Sequence, residues 1–234
     1  MDATLPGGPL AGVRIVDLTT VLMGPYTTQI LGDYGADVIK VEAPGGDGVR
    51  GIGPARHPGM GGPFLQVNRN KRSIVLDLKR PQGREALLKL VATADVMIFN
   101  VRPQAMARLG LSYAEVAAIN PDIIYAGLYG YGQAGPYAAR PAYDDLIQGA
   151  SGLPALSLRA GSERPGYVPT PIADRFVGVA AVGAITAALF HRERTGEGQS
   201  IEIPMFETMA QLVLADHLYG RGFVPPLGDA GYPR

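Results

Sequence analysis

A doubly wound α/β fold with a Rossmann-like, mainly parallel sheet is predicted from three features of the chain. Its N-terminus reads as a β-α-β unit, and parallel strands need such a crossover. Strand-like and helix-like segments then keep alternating. The chain is 234 residues long and 47% hydrophobic, enough for one substantial core or two small ones.

The first strand is read in Val13 to Leu18 and the first helix from Gly24-Pro25 to about Tyr34. Ala36 to Glu42 is a second strand. A glycine-rich loop, Gly45 to Gly62, follows it. Next come a strand at Ser73 to Leu78, a helix at Pro81 to Ala92 with proline near its start, and a strand at Ala94 to Asn100. Pro103 to Leu109 is a short helix, Asp122 to Leu128 a strand and Tyr143 to Ala150 a helix. Ser200 to Ile203 is a short strand before a final helix from Pro204 to about Tyr219. Residues 1–220 are thus expected to form the Rossmann-like domain. The turn-rich residues 221–234 read as the start of a linker.

Several function classes are excluded as expectations. Lys plus Arg and Asp plus Glu number 21 each, which argues against general nucleic-acid affinity. The apolar run from Val177 to Phe190 is short for a bilayer span and reads as a buried helix, so no membrane partner is expected. No cysteine is present, and His57, His191 and His217 are not spaced as metal ligands, so neither thiol nor metal chemistry is expected. With no basic and apolar leader, a cytoplasmic enzyme is the default.

Asp174 is the acid that stands out. Prolines at 165, 169 and 171 precede it, and Phe176, Val177, Ala180, Ala181, Ala184 and Ala187 recur after it at helical spacing. It therefore falls at or near a helix N-cap. A cap is one reading of it and a reactive carboxylate the other. Asp144 and Asp145 read as first-turn acids of the helix that starts at Tyr143, after Pro141, where they complement its dipole. Gly130-Tyr-Gly-Gln-Ala-Gly135 matches the dinucleotide fingerprint in letters. Pro136 to Pro141 follows it where a helix should open, which argues against NAD. Asn68 to Ser73 gathers three cations and two amides beside the glycine-rich loop, with Arg50, Arg102 and Arg108 elsewhere. This is either solvated surface or the cradle of a phosphate-rich cofactor such as coenzyme A. Thr195 to Gln199 reads as a tight turn with a glycine C-cap.

Four segments carry a wider resemblance: Leu10 to Leu18, Leu31 to Glu42, Asn70 to Lys79 and Ala94 to Pro103. With Gly130 to Pro136, Tyr143-Asp144, Ala173-Asp174 and Arg194 to Gln199 they resemble, in order, the class III coenzyme A transferase family. That family includes formyl-CoA transferases, carnitine CoA-transferases and α-methylacyl-CoA racemases. The resemblance implies the family's large domain, with the second, smaller domain absent or truncated here. It implies Asp174 as the nucleophile and coenzyme A or acyl-CoA as substrate rather than as a permanently bound cofactor. The partners would be an acyl-CoA donor and a carboxylic acid acceptor, and family members form interlocked homodimers. Coenzyme A would lie along Thr20, Val21, Leu22 and Met23, with contacts from Lys71, Arg72, Asn100, Val101, Arg108, Tyr143 and Met205. Ala43 stands where several members carry an adenine-stacking arginine. Racemase members carry histidine where this chain has Tyr143, and a tyrosine's ordinary proton affinity is too high for α-proton exchange. Transferase is thus expected, with racemase and a non-catalytic CoA-binding fragment as the alternatives.

Overall fold

A computed structural model of the protein describes residues 7–231. In chain order its regular elements are β1 (Arg14–Asp17), α1 (Met23–Asp33), β2 (Asp37–Glu42), α2 (Gly62–Val67), β3 (Lys71–Val75), α3 (Pro81–Val91), β4 (Val96–Phe99), α4 (Pro103–Arg108), α5 (Tyr113–Ala117), β5 (Ile124–Tyr129), α6 (Asp144–Ala150), α7 (Leu156–Arg159), α8 (Ile172–Thr195), β6 (Gln199–Pro204) and α9 (Met205–Leu218). The strands form one six-stranded sheet in the order β3-β2-β1-β4-β5-β6. β1 runs parallel to β2 and β4, with Ile15 opposite both Val38 and Val96. β2 runs parallel to β3, and β4 to β5.

The alternation read in the sequence is therefore a doubly wound α/β sheet. Ile15, Val16, Val96, Met97, Ile98, Phe99, Ile124 and Ala126 are fully buried, as strands covered on both faces must be. Chain order reverses between β1 and β4. Open α/β sheets take their ligands in the crevice outside the strand carboxyl ends at that point.

By compactness the chain divides into two units. One comprises residues 1–128 and 178–203, the other 129–177 and 204–234. Helix α8 contributes to both. Within the first unit its Gly178 faces α1: Thr27 Oγ1 donates to the Gly178 carbonyl at 3.0 Å, and a Cβ there would lie 3.1 Å from the Met23 carbonyl oxygen. Arg192 near its far end pairs with Asp95 at 2.8 Å. α8 has the length and composition of a membrane span, yet Ala181, Ile185, Ala188 and Leu189 are buried within the protein.

Several expectations shift. Helix α8 starts at Ile172, directly after Pro171, so Asp174 lies in its first turn and is not the cap. β3 starts at Lys71 and ends at Val75, earlier than Ser73 to Leu78. It is an edge strand whose polar residues need no cover, so its apolar pattern misplaces it. The glycine-rich loop holds a 3-10 turn at Gly48–Gly51 and ends where α2 opens at Gly62. Helices α2, α5 and α7, of six, five and four residues, lie in segments that the sequence pattern leaves without a regular element. Residues 130–135 open no helix. The Thr195 to Gln199 segment is a turn with Gly196 at φ 75°. Of the proposed linker, residues 232–234 lie outside the described residues.

Candidate active site

In the first unit the turn from β1 to α1 sits at the topological switch. It lacks ladder hydrogen bonds of its own, and side chains satisfy its backbone instead. The Thr19 N–H donates to Asp17 Oδ1 at 2.8 Å, and the Thr19 carbonyl accepts from Lys40 Nζ at 2.8 Å. Asn100, just past β4, accepts the Thr20 N–H at 3.0 Å and donates to the Thr20 carbonyl at 2.9 Å. The Val21 N–H donates to Asp47 Oδ1 at 3.2 Å. Val21 is held at φ 71°, a conformation a β-branched residue adopts only when its surroundings over-determine it. Gly24 lets the helix start close on this turn, since a Cβ would lie 2.4 Å from the Thr19 side chain.

Beneath the turn lies a buried ionic cluster. Lys40 Nζ pairs with Asp47 at 3.0 Å, and Lys71 Nζ with Asp17 at 3.1 Å, all four side chains at most 2% exposed. Burial pushes Asp17 upward, but the charges of Lys71 and Lys40 and the hydroxyls of Thr19 and Thr28 outweigh it and hold the carboxyl below its ordinary value. Burial, with the neighbouring Lys40 charge, brings Lys71 down to about 8 against the pull of Asp17.

The structure sorts the residues expected to contact coenzyme A into different roles. Thr20 and Val21 are exposed and Leu22 half-buried at the mouth of the crevice. Met23 is buried. Asn100 spends its amide on Thr20, and Val101 follows it half-buried. Lys71 is a buried ion-pair partner, and Arg72 is bound by Asp37 at 2.7 Å near the amino ends of β2 and β3. Arg50, one of the loop cations, is held by Glu42, whose carboxyl drops to about 2 through that bond, against burial and with help from Ser73.

Arg108 differs. It lines an open cleft of about 640 Å³ with Lys79, Arg80, Arg84 and Glu115. Arg84 donates from Nη2 to the Gly110 carbonyl at 2.9 Å, while its Nε is buried without a hydrogen-bond partner among the described residues. An orphaned guanidinium N–H among four cations fits a phosphate group. Lys79 and Arg80 lie past the carboxyl end of β3, just before α3. Sequence reading passed over them and Arg84, although Lys79-Arg80 directly before Pro81 marked two cations at a helix entrance.

The second unit holds Asp174. Tyr143, 69% exposed, precedes α6, and Met205 opens α9 with its side chain buried. Asp144, the first residue of α6, reaches across to α8: its Oδ1 accepts the Asp174 backbone N–H at 2.9 Å. It thus serves the α8 N-terminus rather than only its own helix. Burial, and then the adjacent Asp144 charge, push the Asp174 carboxyl up to about 7, against the smaller opposing pull of Arg175. Asp174 is thus a half-buried carboxyl of raised proton affinity in the first turn of α8.

The fold is that of a doubly wound α/β protein with a crevice at its topological switch point. Residues 10–229 match CoA-transferase family III, and the chain belongs to that family. It is 42% identical over 88% of its length to a succinate–glutarate CoA-transferase of Agrobacterium fabrum, covering 53% of that protein. It is 44% identical over 86% of its length to an acetyl-CoA:oxalate CoA-transferase of Acetobacter aceti, covering 52% of it. A CaiB/BaiF family protein from Brucella suis superposes with a TM-score of 0.85 at 38% identity, over 96% of this chain and 60% of that one. The chain thus spans about half the length of the curated relatives it matches.

Proposed function

We propose that this chain carries the CoA-binding and nucleophilic part of a CoA-transferase that moves coenzyme A between an acyl-CoA and a free carboxylic acid. The observation that carries the reading is Asp174, desolvated and set against Asp144 in a member of this family. Its carboxylate oxygen attacks the thioester carbonyl, the C–S bond breaks, and CoA leaves as the thiolate, giving a mixed anhydride. The thiolate then attacks the aspartyl carbonyl, releasing the donor acid and leaving an aspartyl-CoA thioester. An acceptor carboxylate reverses the two steps and restores Asp174. Near pH 8 the group is mostly ionised and needs no general base. The first attack moves negative charge away from Asp144, so like-charge repulsion present before the reaction is relieved along it.

The test is incubation with a short acyl-CoA, trapping with hydroxylamine and mass spectrometry. A modification on Asp174 is expected. Coenzyme A bound with no adduct at any pH from 6 to 9 would sink the nucleophile assignment.

The cation cleft is assigned to the phosphates of coenzyme A. Arg84→Ala and Arg108→Ala are each expected to weaken CoA binding by about tenfold, the scale of one charge-assisted hydrogen bond, and to flatten its salt dependence. Calorimetric titration at two ionic strengths checks this. Equal affinities for wild type and both variants would remove the cleft from the site.

A further inference from the structure

Gln148 is wholly buried on α6, one turn after Asp144, and its amide is satisfied entirely by groups leading to Asp174. Its Nε2 donates to Asp144 Oδ2 at 2.6 Å and lies 3.4 Å from the carbonyls of Val168 and Thr170. Its Oε1 accepts the Val168 N–H at 3.0 Å. From there the backbone relays the constraint into the helix: Thr170 N–H donates to Val168 O at 2.8 Å, and Ile172 N–H to Thr170 O at 2.7 Å. Asp144 is then held through both oxygens, one by Gln148 and the other by the backbone N–H of Asp174. Both ends of the α8 first turn thus trace back to one amide. A buried glutamine whose side-chain hydrogen bonds among the described residues all run to this region is costly to keep unless those bonds matter.

We propose that Gln148 is a positioning residue for Asp174, acting through Asp144: it locks the Asp144 carboxylate against the first turn of α8 and anchors the 168–170 segment that leads into it. This rests on the reading of Asp174 as the nucleophile. The ionisable groups acting on Asp174 among the described residues are Asp144 from α6 and Arg175 beside it on α8. Once Asp144 can swing away, its charge no longer bears fully on Asp174.

The experiment follows the Asp174 carboxyl carbon by NMR from about pH 5 to 9 in the 13C-labelled chain, assigned by its loss in Asp174→Asn. In Gln148→Met, which keeps the volume and removes every hydrogen bond, the Asp174 midpoint is expected to fall by about one unit, with adduct formation slowed and CoA affinity unchanged. A folded Gln148→Met with an unmoved midpoint overturns the proposal. Gln148→Glu provides the second arm if the methionine variant does not fold. It keeps an acceptor for the Val168 N–H but sets a third carboxyl against Asp144, and the midpoint is expected to rise by about one unit; no change overturns the proposal equally. A shifted midpoint without any adduct on Asp174 in the wild type retires the nucleophile and leaves the clamp. An adduct with an unmoved midpoint does the reverse.

Discussion

Asp174→Asn is expected to abolish the covalent adduct and at the same time make the protein more stable above neutral pH. The loss is chemical: an amide cannot attack a thioester, and removal of a nucleophile costs at least about 10³-fold in rate. The gain follows from linkage. Asp174 titrates at about 7 in the fold, above the ordinary value of 3.8. Between those values the native chain keeps a proton that the unfolded chain has released, so stability falls as pH rises through the window and stays low above it. Asparagine mimics the protonated form at every pH. The variant should match wild type near pH 4 and exceed it near pH 8 by roughly 1–3 kcal/mol, a figure reduced from the full shift because the group is only partly buried. Thermal unfolding at the two pH values reads this as several degrees against none. Equal melting shifts at both would mean that Asp174 is not a strained ionised group. Asp174→Glu separates charge from placement: it keeps the carboxylate but moves it by about a bond length, so the pH dependence should survive while adduct formation slows by about 10²-fold.

Why Asp174 was visible in the sequence and its surroundings were not is a matter of range. Prolines before it and small residues after it are local, and they placed a helix start within two residues of the real one. Asp144 and Gln148 lie 30 and 26 positions away, in a helix whose two leading acids satisfy a purely local explanation. The same holds in the sheet. β1, β2, β4 and β5 announce themselves because buried parallel strands must be apolar, whereas β3 is an edge strand that opens with Lys71-Arg72, so its start reads two residues late, at Ser73. Helix α5 carries a capping box, Ser112 with Glu115, but five residues are too few for an apolar period to register. Cations mislead in a particular way. Charge pattern singled out residues 68–73, yet Arg69 is bound by Asp33, Lys71 by Asp17 and Arg72 by Asp37, partners that only the fold supplies. The cations left around a cleft, Lys79, Arg84 and Arg108, are spread over three segments.

Asp47→Ala is expected to be among the most destabilising single changes available outside the apolar core. Lys40 Nζ is 1% exposed and pairs with Asp47, which is itself wholly buried. Removing one partner leaves a buried ammonium without its neighbour, at a cost of about 3–5 kcal/mol. Asp17 also acts on this cluster, which places the expectation at the lower end. The double variant Lys40→Met/Asp47→Leu removes both charges and should recover most of the loss in a urea titration, because a well-packed apolar pair avoids the desolvation that the ion pair must offset. Stability is then separable from what the pair does for the turn. The double variant still lacks the bonds to the Thr19 carbonyl and the Val21 N–H, leaving Val21 less reason to stay at φ 71°. If the turn binds coenzyme A in this fixed shape, affinity should fall by about tenfold in a variant of near-native stability, since ordering the turn would then be charged to binding. Unchanged affinity would mean that the ion pair serves folding alone. A loss of affinity in the stable double variant would place Asp47, from the glycine-rich loop, among the residues that prepare the switch-point crevice before the ligand arrives.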